Sequence, residues 1–174
     1  MNTLSPKNKT IITTCLLSAA GIFGLVYSGI DIYTSLPLII FYFIITLNTY
    51  FSLKLFTSLV LQQTFIQHLV DAALIAFYLM LAFSFNFPVR FIFAVTILFV
   101  CATLKYALLL GVIDYPVLLK KKIIIDIMGI LLGLTSLGGI LMGYPILSSW
   151  YIAIVFALGN IFFLIIRPMY RLEN

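Results

Sequence analysis

The sequence predicts an all-α polytopic membrane protein: one transmembrane domain over residues 1–174, with six spanning helices in three consecutive hairpins and both termini in the cytoplasm. Three observations predict it. Hydrophobic residues make up 64% of the chain and charged residues 9%, with a mean hydropathy of +1.23, whereas a soluble domain is about 45–50% apolar and about 25% charged. Apolar runs recur near the ~20 residues that cross a ~30 Å hydrocarbon core at ~1.5 Å per residue. The basic residues fall almost entirely on one side of those runs.

The first span, 11–30, follows Lys7 and Lys9 and is closed by the polar run from Asp31 to Pro37. The second covers 36–53. Because 55–61 is still apolar, it either continues to Gln62 and Gln63 with Lys54 snorkelling, or gives way to a short interfacial helix. The third, 69–87, ends at Asn86-Phe87-Pro88, and the fourth, 91–113, at Asp114-Tyr115-Pro116. The fifth, 123–143, ends at Gly143-Tyr144-Pro145, and the sixth, 146–166, runs to Arg167. Each proline pushes the residue before it out of helical backbone, so these tripeptides are natural breaks. Transmembrane strands would read as alternations of about ten residues, not as continuous apolar runs. The start of the chain has a second reading, a cleaved signal peptide with Ser18 and Ala20 at the cleavage site. The run continues apolar through 22–26, which suits an anchor better.

Lys7, Lys9, Lys54, His68, Lys120, Lys121, Lys122, Arg167 and Arg171 flank one side, against Arg90 and Asp31 on the other. The positive-inside rule then places both termini in the cytoplasm. Tyr27, Tyr33, Tyr144, Trp150 and Tyr151 fall near the opposite boundary, where aromatic belts form. Compactness and the lack of a targeting signal suggest a bacterial inner membrane.

Composition also excludes classes of function. The net charge of +5 comes from Lys and Arg at helix ends, not from a nucleic-acid-binding face. Cys15 and Cys101 are isolated in apolar stretches and form no Cys-x-x-Cys. His68 is the one histidine, so no histidine pair exists for a metal or haem. Gly-x-Ser-x-Gly, a phosphate-cradling glycine loop and a magnesium-binding acid cluster are all missing from the sequence. No cofactor, metal or enzymatic activity is expected.

The chemistry that remains is intramembrane. Asp71, Lys105 and Asp126 are charged residues inside the assigned spans, and ionic groups at that depth normally face protein and are paired. On these bounds Asp126 lies about 6 Å and Lys105 about 12 Å below the membrane edge, a gap the lysine stem can close. Lys105 is therefore expected to pair with Asp71 or Asp126, leaving one carboxylate to take a proton or a cation. The alternative is that the aspartates sit within reach of headgroup water and Lys105 snorkels. His68 shares the helix face of Asp71 and reads as an edge residue.

Asn48 and Asn160, with Ser52 one turn beyond Asn48, extend the polar set and could bond across helices or line a polar path. Thr14, Asp71 and Asp126 are separated by 57 and 55 residues, as are Asn48, Lys105 and Asn160, which suggests either a repeated hairpin or three hairpins of similar length. Gly129, Gly133, Gly139 and Gly143 form two Gly-x-x-x-Gly motifs. They suit close helix packing within the chain, or a homodimer or membrane-protein partner. Asp126 shares the face of Gly129 and Gly133, and Ala20, Gly24 and Ser28 make a second small-residue stripe. Lys120, Lys121 and Lys122 serve topology and could also hold lipid headgroups or an acidic partner.

The leading functional expectation is a small transporter or channel-like protein that uses the Asp71, Lys105 and Asp126 cluster. The alternative is a non-catalytic membrane subunit or assembly factor.

Overall fold

The computed structural model describes residues 5–27, 32–60 and 64–169. Asp31, Ser28, Gln62, Gln63 and Arg171 lie outside them. Among the described residues the chain is helical, with no strand: α1 Pro6–Tyr27, α2 Ile32–Leu59, α3 Phe65–Ala82, α4 Pro88–Leu109, α5 Pro116–Leu141 and α6 Pro145–Ile161, the last continued by a π-helical segment Phe162–Ile166. All six are long and apolar enough to cross a bilayer, and the chain is a multi-pass membrane protein.

Helix starts are set by local chemistry, and several lie earlier than hydropathy alone suggests. Pro88, Pro116 and Pro145 each occupy the first turn of a helix, where a missing N–H costs nothing and φ is already helical. For α5 this moves the start from 123 to Pro116 and draws Lys120, Lys121 and Lys122 from a connection into the helix, which lysine favours. Thr64 caps α3: its hydroxyl accepts from the Gln67 N–H at 3.4 Å, and the Gln67 side chain accepts from the Thr64 N–H at 2.9 Å. That reciprocal capping box starts the helix at Phe65 instead of 69. The α2 helix is one continuous element through Leu59, with Lys54 exposed on it, so the interfacial-helix alternative falls away. The α3 helix stops at Ala82 instead of 87, because Ser84 N–H bonds the Leu81 carbonyl and Phe87 N–H the Ser84 carbonyl in a turn leading to Pro88. The α4 helix likewise stops at Leu109, short of 113.

The helices close into a ring in the order α1, α2, α6, α5, α4, α3 and back to α1, with α4 also touching α6 and α2 across it. The most extensive packing, α4 on α5, joins the second hairpin to the third. Glycine permits it. A Cβ on Gly129 would lie 2.7 Å from the Phe99 ring and one on Gly133 2.3 Å from the Thr96 hydroxyl. Both glycines are thus packed against the chain's own α4. Gly139 meets Ser148 of α6 in the same way, and Gly143 takes a φ of +89° in the α5–α6 turn.

The two ends of the ring differ. We call the end that carries the start of α1 and the end of α6 the terminal end. The interior away from it is an apolar plug in which Phe41 stacks 4.5 Å from Phe156 and meets Phe91 edge-on at 5.9 Å. Leu38, Phe41, Phe91, Ile92 and Val95 are fully enclosed there. At the terminal end a smaller cluster gathers Phe56, Tyr106, Leu109 and Leu119. Between the two clusters the interior turns polar.

Candidate functional site

The polar region is a cavity of about 190 Å³ inside the ring, room for about six water molecules at ~30 Å³ each. Five helices line it. Thr13 comes from α1, Asn48, Thr49 and Ser52 from α2, Asp71 and Tyr78 from α3, Phe99, Lys105 and Tyr106 from α4, and Lys122 and Asp126 from α5.

Two ion pairs form its ionic frame. Lys105 Nζ lies 2.6 Å from Asp71 Oδ1, joining α4 to α3, and Lys122 Nζ lies 2.6 Å from Asp126 Oδ1, one turn along α5. Lys105 and Asp71 keep 16% and 28% of their side-chain exposure, whereas Lys122 and Asp126 keep 5% and 1%. The outer pair is therefore accessible and the inner pair enclosed. Helix bounds explain the pairing. With α4 ending at Leu109 and α3 starting at Phe65, Lys105 and Asp71 lie about 6 and 9 Å from the terminal end. With α5 starting at Pro116, Asp126 lies deeper, at about 15 Å, beyond the level of Lys105 and one turn below Lys122.

Hydroxyl groups complete the walls. The Lys122 ammonium stands 5.3 Å from the Tyr106 ring centroid, within cation–π range. The Tyr106 hydroxyl bonds Ser52, tying α4 to α2, and the Tyr78 hydroxyl bonds Thr49 and donates to the Ile45 carbonyl at 3.3 Å, tying α3 to α2. One level further from the terminal end, the Tyr42 hydroxyl donates to the Leu17 carbonyl at 2.7 Å. One acceptor is left over. Asp126 Oδ2 is buried and has no hydrogen-bond partner among the described residues.

The structure thus brings together Asp71, Lys105, Asp126 and Asn48 from the residues that the sequence singles out. It leaves out Asn160, whose Nδ2 donates to the Phe156 carbonyl at 2.8 Å on its own helix; no residue of α6 lines the cavity among those described. The third member of the suggested repeat therefore has a different environment from Asn48 and Lys105. Lys122 is the principal correction: expected at a headgroup or partner, it turns inward as the base of Asp126. Lys120 and Lys121 remain exposed, and so does His68. With a lysine on each carboxylate, the expectation of two acids sharing one base no longer holds.

Sequence reading missed Tyr78, Tyr106 and Thr49, whereas Ser52 bonds across helices to Tyr106 and lines the polar path, as its place one turn beyond Asn48 suggests. Tyrosines placed mid-span instead of at a boundary were the available signal, since a buried phenol needs a hydrogen-bond partner. For Lys122 the signal was its i,i+4 spacing to Asp126.

The chain matches no known protein family, no curated protein and no solved structure. Its function has to be argued from the cavity. Two lysines and two aspartates balance formally, and among the described residues no three His, Cys, Asp or Glu side chains gather as a metal site would require.

Proposed function

We propose that the protein is a small membrane transporter that takes a small polar solute from the terminal face into the cavity, with Asp126 and Lys122 as the inner binding pair and Lys105 and Asp71 as the outer one. The observation that carries this reading is the cavity walled by five helices and framed by two lysine–aspartate pairs, with the unpartnered Oδ2 of Asp126 buried in its wall, where a small shift of that wall would bring it to a bound donor. A buried acceptor left unsatisfied costs about 1–3 kcal/mol, which a donor-bearing solute recovers on binding. The formally balanced frame favours a neutral or zwitterionic solute, because a net ionic one would leave charge in a low-dielectric interior.

The apolar plug favours a carrier over an open channel. Phe41, Phe91 and Phe156 fill the ring beyond the cavity, so a solute must await a rearrangement of the helices before it can leave by the other side. On the distribution of basic residues the mouth faces the cytoplasm, in a bacterial inner membrane.

Purified protein in liposomes tests this with radiolabelled glycine and labelled urea, one zwitterionic and one neutral. Uptake of at least one probe is expected, reduced at least tenfold by Asp126→Asn. Ala102→Trp, which fills the cavity wall and spares both ion pairs, should block it as well. No uptake of any probe, together with a stably co-purifying protein, overturns the reading in favour of a non-catalytic subunit or assembly factor. Uptake unchanged in a folded Ala102→Trp variant overturns the site.

A further inference from the structure

A second concavity lies on the outside of the ring, away from the solute cavity. Between the first half of α5 and the π-helical segment after α6 runs a groove of about 910 Å³. Lys121, Ile124 and Met128 line it from α5, and Phe162 and Arg167 line it from the other side. Lys121, Ile124 and Met128 follow i, i+3, i+7 spacing, so the cation and the apolar residues share one stripe. Counting from Pro116, Lys121 lies about 8 Å and Met128 about 18 Å from the terminal end. The charge is therefore near the membrane surface and the apolar floor runs inward from it, toward the acyl chains.

Arg167 closes the π-helical segment that continues α6. Its N–H bonds the Phe162 carbonyl at 2.7 Å across the widened turn, and the Met169 N–H bonds the Phe163 carbonyl at 2.9 Å, the i→i−5 and i→i−6 pattern of a bulged helix end, a feature that often accompanies function. Lys121 and Arg167 are both exposed, and neither has an ion-pair partner among the described residues. Among the described residues Asp114 is the one acid lining the groove, against Lys121 and Arg167, so they leave it an excess of one positive charge.

We propose that this groove binds an anionic glycerophospholipid of the surrounding leaflet, its phosphate between Lys121 and Arg167 and one acyl chain along Ile124, Met128 and Phe162. The charge excess selects an anionic over a zwitterionic headgroup, and the apolar floor demands a chain as well as a phosphate.

Native mass spectrometry of the full chain in detergent, with phosphatidylglycerol and phosphatidylcholine of matched chains at equal concentration, tests it. Phosphatidylglycerol should be retained about fivefold over phosphatidylcholine, the ratio expected for one net charge at the surface. Lys121→Gln/Arg167→Gln should abolish that preference, and Lys120→Gln, outside the groove lining, should keep it. Met128→Trp, which narrows the floor, should reduce retention of both lipids, and glycerol 3-phosphate, which has no chains, should not compete. Equal retention of the two lipids, a preference that survives the double substitution, or competition by glycerol 3-phosphate overturns the proposal. Each single substitution at Lys121 or Arg167 carries the same test should the double variant not fold.

Discussion

Lys122 reaches Asp126 one turn along its own helix, Nζ to Oδ1 at 2.6 Å, while Lys105, which spacing also offers to Asp126, bonds Asp71 across a helix boundary instead. The two pairs differ in burial, and the difference sets distinct consequences for substitution.

Lys122→Met leaves the Asp126 carboxylate buried without its base. Breaking a buried pair from one side costs about 3–5 kcal/mol, so this variant should show a large drop in Tm, followed through Trp150 fluorescence. Asp126→Asn keeps an acceptor for the Lys122 ammonium, and its loss should be smaller, about 1–3 kcal/mol. Lys122→Met/Asp126→Asn should be no less stable than Lys122→Met alone, because the charge that lacked a partner is gone.

The outer pair should be weaker and measurable as coupling. Asp71 and Lys105 keep some exposure, so a double-mutant cycle over Asp71→Asn and Lys105→Met should give about 0.5–1 kcal/mol. Strictly additive losses would show that the contact contributes nothing to holding α3 against α4.

Two glycine substitutions should part in opposite directions. A Cβ on Gly24 would stand 1.9 Å from the Ala82 carbonyl oxygen, which is backbone and cannot rotate aside, whereas one on Gly138 meets nothing within 4 Å. Gly24→Ala should separate α1 from α3 and lose about 1–3 kcal/mol or more. Gly138→Ala should leave Tm unchanged or raise it, by up to about 1 kcal/mol of helix propensity. Thermal unfolding of the two variants side by side decides it.

The cavity should be reachable from one side. In a background carrying Cys15→Ser and Cys101→Ala, Thr49→Cys and Ser52→Cys should react with a membrane-impermeant maleimide in everted vesicles and stay unreactive in intact cells. Ile92→Cys and Val95→Cys, enclosed in the plug, should react in neither. Labelling of Val95→Cys at the rate of Thr49→Cys would mean that the plug does not seal the ring.

Much of the site was legible before any tertiary information. Asp71, Lys105 and Asp126 stand out because charge inside an apolar run has few explanations, and Asn48 joins them in the same cavity. Asn160 carried the same kind of signal and failed, since a side-chain amide can satisfy itself on the carbonyl one turn back, as it does with Phe156. The capping box at Thr64 and the prolines at helix starts were also in the sequence, but hydropathy cuts a span where polarity begins and not where hydrogen bonding does. That placed Asp126 too shallow and left Lys122 outside the bundle.

The number of spans was decided by the sequence alone, because partition into lipid sums transfer free energies along a local window and needs no knowledge of neighbours. Which lysine meets which aspartate depended on where each helix begins and how it is rotated. Both are fixed by packing, with Gly129 and Gly133 drawing α5 against Phe99 and Thr96 and so aiming Asp126 into the ring. The cavity is likewise a tertiary property, since an enclosed oxygen and the hydroxyls around it come from five helices whose mutual order no single stretch of chain encodes.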